Sequence, residues 1–299
     1  MKRNARMAPK ASLSGAPVHW SGWTDRGRVR ALNEDSFLGL RFNGQDVERL
    51  GKTGDSGLVD TDLVFAVSDG MGGAMAGEFA SRIAVEKITT LLPREFRKAT
   101  LQTEAGLTTV LNAVFGEIHR ALAYLGGSYD ECRGMETTLS LAWFSPGWMW
   151  HAHVGDSRIY YRPHGDAVLK QLTEDDTHVG WLLRTGQISA WEARTHPRRH
   201  VLQKALGGGN QFVTPQIGRV PCQAGDRFLL CTDGLFQGLT EARLEEMISA
   251  PAPVAASSTR RAAARDSAQE FNRARTLVQT SVAEDGRDNT TALVVEVVG

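Results

Sequence analysis

Acidic residues at the ends of short apolar segments are the feature that most constrains the fold of this chain. Four of these motifs stand beside Gly or Asn at the end of an apolar segment, and a fifth lies in a turn between two predicted strands. The motifs are Asn33-Glu34-Asp35, Ser68-Asp69-Gly70, Gly155-Asp156-Ser157, Thr232-Asp233-Gly234 and Arg287-Asp288-Asn289. Any one of them alone is most often a simple turn. Together they favour a fold in which several strand ends meet at one rim.

Carboxylates that meet at one rim need a partner of opposite charge. An unpaired carboxylate taken out of water costs several kcal/mol, so cations must accompany these groups if they converge. All-oxygen ligands suit Mg²⁺ or Mn²⁺ better than zinc. The chain has three cysteines and no C-x-x-C pair, which argues against a structural zinc site and a disulfide framework. The sequence therefore predicts an oxygen-lined metal site in a cytoplasmic protein.

Apolar periodicity divides the chain into blocks of strands and blocks of helices. Short β-prone runs predict strands at residues 63–67, 139–144, 149–154, 159–162, 227–231 and 291–298. Apolar residues three and four positions apart predict helices at residues 77–92, 107–125, 177–184, 190–194, 239–248 and 262–283. Blocks of this kind favour a layered α+β domain over a doubly wound parallel sheet.

The remaining segments predict one domain with irregular additions. Residues 1–17 are basic and lack the apolar stretch of a secretory signal, so we expect a disordered tail. Residues 18–299 are expected to form a single domain, because chains of this length ordinarily fold as one. Within it, residues 42–61 are rich in Gly, Asp and Thr, and residues 250–258 in Ala, Pro and Ser. We expect both to be mobile surface loops.

The charge balance excludes some classes of partner. Lys plus Arg number 34 and Asp plus Glu number 34, so no global field draws the chain to nucleic acid or to an anionic membrane. No apolar run approaches the roughly 18 residues of a membrane span. We therefore expect neither a nucleic-acid partner nor a membrane.

Six motifs occur in the order expected of one known family. They are RVRALNEDSF, VFAVSDGMGG, GMETTL, HVGDSRIYY, CTDGL and GRDNTT. With them, residues 22–298 resemble the protein phosphatase 2C (PPM) family, and its bacterial members most. The segment GQISAWEARTHPRRHVLQKALGG is similar to the mobile flap of bacterial members, which implies a flap at about residues 176–206. The resemblance also implies an α/β/β/α sandwich of two central antiparallel sheets flanked by helices.

The resemblance further implies a role for most of the acidic motifs. Asp69 would bridge two Mn²⁺ or Mg²⁺ ions, and the carbonyl of Gly70 would bind one of them. Asp233 and Asp288 would complete the ligands of the other. Glu34 would bind the second ion directly or through water.

Three further residues complete the implied site. Asp35 would orient a metal-bound water from behind the ligands. Asp156 and Asp233 occupy the positions that hold a third, weaker ion in bacterial members. Arg30 matches the arginine that grips the substrate phosphate, for which a guanidinium offers two parallel hydrogen bonds. The candidate catalytic residues are thus Arg30, Asp35 and Asp69.

The implied reaction is the metal-dependent hydrolysis of phosphoserine and phosphothreonine in proteins. Two ions lower the pKa of a water that bridges them and stabilise the in-line transition state, which implies direct attack by a bridging metal hydroxide. None of the three cysteines is followed by an arginine six positions later, which argues against a cysteinyl-phosphate intermediate. Two alternatives stay open: a phosphatase-like binding module that has lost catalysis, and an enzyme for small phosphoesters.

Departures from the family pattern bear on these expectations. Met71 stands where eukaryotic members have a histidine proposed to protonate the leaving group, so the general acid is unassigned. Glu136 replaces a glycine of the family's Gly-Met-Gly-Thr-Thr motif, and we expect it to be solvated rather than part of the site. His151 and His153 share one strand face without a third ligand nearby. We expect them to pack behind the Gly-Asp-Ser-Arg turn.

A local basic cluster falls within the implied flap, and it consists of Arg194, His196, Arg198, Arg199 and His200. Contact with a phosphorylated substrate and a merely solvated face are equal alternatives for it. As partners we expect phosphorylated proteins, namely a bacterial serine/threonine kinase and its targets. The enzyme that opposes this kinase is expected to be a cytoplasmic monomer.

Overall fold

Two antiparallel sheets lie face to face in the computed structural model, and helices cover their outer faces. The structure describes residues 17–73, 75–99, 104–166, 168–209, 212–251 and 272–298. The strands are β1 (Pro17–Asp25), β2 (Asp35–Phe42), β3 (Val47–Arg49), β4 (Thr53–Gly57), β5 (Asp62–Met71), β6 (Glu136–Thr137), β7 (Leu139–Ser145), β8 (Trp148–Val154), β9 (Arg158–Arg162), β10 (Lys170–Gln171), β11 (Leu206–Gly207), β12 (Gln216–Pro221), β13 (Arg227–Cys231) and β14 (Thr290–Val297). The helices are α1 (Ala76–Lys98), α2 (Glu104–Ser128), α3 (His178–Arg184), α4 (Ala190–Thr195), α5 (Asp233–Gly238), α6 (Glu241–Ser249) and α7 (Arg273–Glu284), with a 3-10 turn at Asp130–Cys132.

Strand order brings distant parts of the chain side by side. The first sheet runs β10-β9-β13-β14-β1-β4. The second runs β3-β2-β5-β7-β8-β12, with β6 joining the end of β5 and β11 joining β6. All of these described pairs are antiparallel, and β14 aligns Val297 with Val18 of β1 and Leu293 with Leu230 of β13.

Strand alternation divides the buried side chains among three layers of core. On β5, Leu63, Phe65 and Val67 pack between the two sheets, whereas Val64 and Ala66 pack against α1 and α2. The strands β13 and β14 alternate in the same way between the central layer and the face covered by α5, α6 and α7. Side chains on a strand point to opposite faces with a period of two, which suits strands that are covered on both sides. The implied α/β/β/α sandwich is confirmed.

Two short edge strands lie within residues 42–61, where the composition predicts an irregular loop. The strand β3 pairs with β2, and β4 pairs with β1 at the opposite edge of the other sheet. A side chain on Gly54 would lie only 2.4 Å from the ring of Trp20, whose Nε1 donates a hydrogen bond to the carbonyl of Gly51 at 3.0 Å. Glycine at residue 54, which by composition indicates a loop, therefore lets the ring of Trp20 pack against an edge strand.

Several predicted elements are confirmed, and others lie outside the described residues. The predicted strand and helix cores at residues 63–67, 139–154, 159–162, 177–194, 227–231 and 291–297 agree with the structure. Of the predicted helix at 262–283, the part from residue 273 onward is α7. The predicted tail falls outside the described range except for residue 17, which begins β1, and the predicted loop at 250–258 falls outside it from residue 252 onward. Among the described helices, none combines the length and the apolarity that a bilayer crossing requires.

Candidate active site

Five of the predicted carboxylates line one cavity of about 1050 Å³ at an end of the sandwich. They come from five separate segments of the chain and are Glu34, Asp69, Asp156, Asp233 and Asp288. Arg30, Gly70 and Met71 line the same cavity. Asp35 does not, because it lies buried beneath it. The structure therefore brings these five carboxylates together at one cavity, as the strand-end motifs predict.

The carboxylate of Asp69 is held by a backbone that is clamped on both sides. The hydroxyl of Thr138 accepts a hydrogen bond from the Asp69 amide at 2.9 Å, and the Thr138 amide donates to the Asp69 carbonyl at 2.9 Å. The hydroxyl of Thr137 donates to that carbonyl at 2.7 Å. Burial raises the pKa of Asp69 well above its usual range, and the nearby charges of Asp35 and Asp233 raise it further. This carboxyl group resists ionisation unless a cation stands beside it.

Gly70, Gly77 and Glu34 form a close oxygen-lined contact. A Cβ on Gly77 would lie 2.2 Å from Oε1 of Glu34 and 2.9 Å from the carbonyl oxygen of Gly70. A Cβ on Gly70 would lie 1.9 Å from the carbonyl oxygen of Gly77. The amide of Gly70 also donates to the Glu34 carbonyl at 3.1 Å. Only glycine fits at both positions, and this brings a carboxylate and a carbonyl oxygen to the same place.

Asn289 fixes the segment that carries Glu34. Its Oδ1 accepts a hydrogen bond from the Glu34 amide at 2.8 Å, and its Nδ2 donates to the carbonyls of Arg26 and Leu32, each at 2.9 Å. One side chain next to Asp288 thus closes the loop that precedes β2. Burial raises the pKa of Glu34, and Arg30 opposes this shift.

Asp35 is a buried carboxylate with one oxygen engaged. Its Oδ2 accepts hydrogen bonds from the hydroxyls of Thr232 and Thr291, both at 2.7 Å, whereas its Oδ1 is buried without a partner among the described residues. Burial raises the pKa of Asp35 to about 7. The carboxyl group lies where strands of the two sheets meet, below the residues that line the cavity.

Asp233 and Asp156 lie close enough to influence each other. Asp233 begins α5, and its buried Oδ1 has no partner among the described residues. Its Oδ2 accepts a hydrogen bond from Gln237 and lies 3.6 Å from Nδ1 of His200. Burial raises the pKa of Asp156 well above its usual range, and the charge of Asp233 adds to this shift.

Arg30 and Asp288 form an ion pair at the rim of the cavity. Nη2 of Arg30 lies 2.9 Å from Oδ2 of Asp288, and the Arg30 side chain is 50% exposed. The hydrogen bond that Arg30 donates to the Asp288 carboxylate raises the pKa of this guanidinium. The predicted phosphate-binding residue and one predicted metal ligand therefore engage each other directly.

The donor set fits a hard, oxygen-liganded ion. It combines carboxylates with the Gly70 carbonyl, and it includes a buried unpartnered oxygen on Asp233, with another on Asp35 beneath it. Within the described ranges, no three His, Cys, Asp or Glu side chains stand arranged as a cluster that could hold an ion. Asp288 is engaged by Arg30, and Asp35 by two threonines. Oxygen ligands of this kind match Mg²⁺ and Mn²⁺.

Sequence reasoning missed two acidic residues, Asp175 and Asp176, which bind basic residues at the wall of the cavity. Oδ2 of Asp175 lies 2.6 Å from Nη2 of Arg158, whose guanidinium carbon stands 3.7 Å from the ring centre of Phe236. The buried Asp176 accepts hydrogen bonds from the Gly155 amide at 3.2 Å and from Nζ of Lys204 at 2.9 Å. The sequence signal was a run of three acidic residues, Glu174-Asp175-Asp176, just before a predicted helix.

His151, His153 and Glu136 are predicted to lie outside the metal site. His153 packs behind the Gly-Asp-Ser-Arg turn as predicted, with Nδ1 2.8 Å from the hydroxyl of Ser140 and Nε2 3.0 Å from the carbonyl of Gly155. Burial lowers the pKa of its neighbour His151 to about 4. Glu136 begins the strand β6 and is half-buried beside Gly208, so its side chain is only partly solvated. It is not among the residues that line the cavity.

An Asp-x-Asp sequence, residues 60–62, lies away from the cavity. Asp62 begins β5, and its Oδ2 accepts a hydrogen bond from Nε1 of Trp143 at 2.7 Å. Neither Asp60 nor Asp62 lines the cavity. Three members of the basic cluster do line it, and they are Arg194, Arg199 and His200.

Comparisons with known proteins agree with this geometry. The family model of protein phosphatase 2C matches residues 53–272. The serine/threonine phosphatase Stp of Listeria monocytogenes is 34% identical over 280 residues, which cover 93% of this chain and 96% of that protein. The solved serine/threonine phosphatase PstP/Ppp of Mycobacterium tuberculosis has a TM-score of 0.70 at 29% identity, with 95% of this chain and 100% of that chain covered.

A further solved structure contains metal. It is the catalytic domain of PstP in complex with two manganese ions, with a TM-score of 0.67, 28% identity, and coverage of 95% of this chain and 100% of that chain. The family model spans most of the chain, and the Listeria relative aligns over nearly its whole length. The chain therefore belongs to the protein phosphatase 2C family.

Proposed function

We propose that this serine/threonine phosphatase of the protein phosphatase 2C family hydrolyses phosphoserine and phosphothreonine in proteins with the help of Mn²⁺ or Mg²⁺. The observation that carries the proposal is the meeting of five carboxylates from separate segments in one cavity, with an arginine at its rim. A phosphate monoester dianion cannot bind such a wall without cations. Family membership and the manganese complex of PstP support the choice of ion.

The ions would be held by oxygen atoms of the cavity floor, which is formed by Glu34, Asp69, Gly70, Asp156, Asp233 and Asp288. Asp69, the Gly70 carbonyl, Glu34, Asp233 and Asp288 would together hold two of them. Asp156 would share a third ion with Asp233. When bound, such ions neutralise phosphoryl charge and supply a deprotonated water at neutral pH.

The chain's own residues would position substrate and water. Arg30 is half-exposed beside the floor. Once the Asp288 carboxylate binds a metal ion instead of Arg30, the guanidinium can donate hydrogen bonds to phosphoryl oxygens. Oδ1 of Asp35 has no partner among the residues that the structure describes, and it can accept a hydrogen bond from a water beneath the phosphate. Met71 lines the cavity but carries no proton to donate, so the proton for the leaving serine or threonine oxygen would come from solvent or a bound water.

The direct test is hydrolysis of p-nitrophenyl phosphate and of a phosphothreonine peptide with Mn²⁺ and with EDTA. Asp69→Asn and Asp233→Asn should each lower kcat/KM by at least about 100-fold, because each removes charge that holds the ions. Asp130→Asn is the matched control, since Asp130 is exposed and pairs only with Arg133 among the described residues. Activity that survives EDTA or Asp233→Asn would refute the mechanism.

The biological role that we propose is reversal of a serine/threonine kinase in the cytoplasm by a monomeric enzyme. We also propose that residues 18–299 form one catalytic domain, and that residues 176–206 act as its flap. The interleaved strand order supports a single domain, because the first sheet uses strands from both ends of the described chain. A higher kcat/KM for a phosphorylated kinase than for p-nitrophenyl phosphate would support the role. The reverse ratio would favour small phosphoesters.

A further inference from the structure

Five arginines line the cavity, and three of them are neutralised by the protein. Arg30 pairs with Asp288 at 2.9 Å, Arg158 with Asp175 at 2.6 Å, and Nε of Arg287 with Oδ1 of Asp285 at 2.9 Å. The remaining two, which are Arg194 and Arg199, lie on the segment that contains α3 and α4. In the part of the chain that the structure describes, no hydrogen bond or ion pair engages either guanidinium.

Arg194 is held on a short helix that turns one face to the cavity. Ala190, Ala193 and Arg194 all line the cavity, and they lie at positions i, i+3 and i+4 of α4. A capping box fixes the start of this helix: Ser189 accepts from the amide of Glu192, and Glu192 accepts from the amide of Ser189. The direction of Arg194 is therefore set by the helix itself.

Arg199 lies in a tight turn after α4. Its amide donates to the carbonyl of His196 at 3.1 Å, and the amide of Val201 donates to the carbonyl of Arg198 at 3.1 Å. Arg198 is exposed in the same turn but is not among the residues that line the cavity. Two neighbouring arginines thus differ in the direction that they face.

The base of this segment is tied to the floor of the cavity. Thr177 pairs with Leu202, and the amide of His178 donates to the carbonyl of Val201 at 3.0 Å. Asp176 joins both ends, since it binds the Gly155 amide beside Asp156 and the ammonium of Lys204. The two arginines therefore have a defined place opposite the carboxylates.

An uncompensated pair of guanidinium groups in a substrate cavity suits a second anion. We propose that Arg194 and Arg199 bind the carboxylate of an Asp or Glu that lies within a few residues of the phosphorylated residue, so that acidic phosphopeptides are the preferred substrates. This inference rests on the proposed function, which places the phosphoryl group over the carboxylate floor. Guanidinium groups bind carboxylates by two parallel hydrogen bonds. The apolar residues Val179, Leu183 and Phe236 line the same cavity and would contact the peptide between the two charged groups of the substrate.

The test compares phosphothreonine peptides that differ at a single position. That position carries Glu, Gln or Lys, and it is placed in turn at each of the three residues before and after the phosphothreonine. At the best position we expect kcat/KM for Glu to exceed that for Lys by about 10-fold, because exposed charge pairs contribute modestly. Arg194→Glu with Arg199→Glu should invert this ratio in favour of Lys. Arg198→Glu should leave the ratio unchanged, since Arg198 does not line the cavity.

Hydrolysis of p-nitrophenyl phosphate separates the two proposals. If wild-type protein hydrolyses this ester with Mn²⁺ but shows no Glu preference at any position, the anion site is refuted and the proposed function stands. If Arg198→Glu changes the ratio as much as the double variant does, general surface charge is the cause and the site is refuted. Absence of any Mn²⁺-dependent hydrolysis would overturn the proposed function together with this inference.

Discussion

The floor of the cavity consists of strand ends, whereas the opposite side, the α3–α4 segment (residues 177–202), consists of two short helices and turns. Asp156 and Asp233 on the floor and Asp35 beneath it are each 7–8% exposed, and raised pKa values mark Asp35 and Asp156 as costly to ionise. On the α3–α4 segment, Trp191 is 74% exposed, and the flanking polar groups reach solvent. Because the floor is buried, small displacements of its side chains are costly. Because the α3–α4 segment is exposed, its side chains can be replaced with little effect on the fold. We therefore expect substitutions on the floor to act on the chemical step and those on the segment to act on substrate choice.

Among substitutions that leave the carboxylates themselves in place, the largest effect is expected for Gly77→Ala. The added methyl group would meet Oε1 of Glu34 at 2.2 Å and so displace this carboxylate from the Gly70 carbonyl. We expect kcat/KM to fall by about 100-fold, equivalent to about 3 kcal/mol, although alanine favours the helix itself. Gly73→Ala is the control, because no described atom lies within 4 Å of its Cβ position. Equal activity of the two variants would mean that the floor is less strict than its packing indicates.

Metal binding should stabilise the protein, and more so at higher pH. Asp35 has a pKa of about 7 in the folded protein against 3.8 ordinarily, so the folded state binds a proton that the unfolded state has lost. Without ions, stability from this group is therefore complete below about pH 4 and is lost as the pH rises through 7. A fixed Mn²⁺ concentration equal to 100 times its Kd at pH 8 should contribute about 2.7 kcal/mol at that pH, and the same concentration should raise Tm less at pH 6, where protons compete for the carboxylates. Asp69→Asn serves as the comparison, and the same Tm rise in that variant would contradict this account.

A smaller effect is expected for Thr138→Val, which keeps the shape of a buried side chain and removes its hydroxyl. The amide of Asp69 loses its acceptor at 2.9 Å, and the hydroxyl of Ser157 loses a partner at 2.7 Å. Urea denaturation should show a loss of about 1–2 kcal/mol in unfolding free energy, and activity should fall by about 10-fold because Asp69 is less well oriented. Thr138→Ser retains the hydroxyl and should recover most of both. Failure of that recovery would show that packing, rather than the hydrogen bonds, matters here.

The smallest effect on global stability is expected for Ser189→Ala, on the α3–α4 segment. It removes one half of the capping box of α4, which costs about 1 kcal/mol locally. Faster hydrogen exchange at the amide of Glu192 should accompany a Tm within about 1 °C of wild type, because a local opening need not unfold the sandwich. Thr195→Ala, at the other end of the helix, is the control. A large fall in Tm would indicate that the segment is part of the global folding unit.

Much of the floor could be predicted because its signals are local. An acidic residue beside glycine after an apolar run marks a strand end, and the ordered motifs around Asp69, Asp156 and Asp233 fix both the family and the sandwich. The same reasoning could not foresee the partners of Asp35. Its two threonines lie 197 and 256 residues away in the sequence, and such pairings depend on how the two sheets meet.

Other features were missed because the composition misled. Glycines at residues 51, 54 and 57 indicate a loop, yet they serve an edge strand that packs on Trp20. The segment Thr232-Asp233-Gly234 indicates a turn, yet Asp233 begins the helix α5. The basic cluster of the α3–α4 segment has no internal signal that separates Arg198 from Arg199, since only the turn after α4 decides which side chain faces the cavity.

The central place of β14 has a consequence for the way the enzyme is made. This strand inserts between β1 and β13, so the two ends of the described chain must meet before the first sheet is complete. Closing so long a loop is slow, and Asp288 and Asn289 immediately precede the strand that closes it. A nascent chain that has emerged only as far as β13 lacks these residues, and its β1 can pair only with β4 and not with the rest of the sheet. Catalytic competence would then arrive in one late step of biosynthesis, and a partly synthesised chain would have no means to strip phosphate from its surroundings.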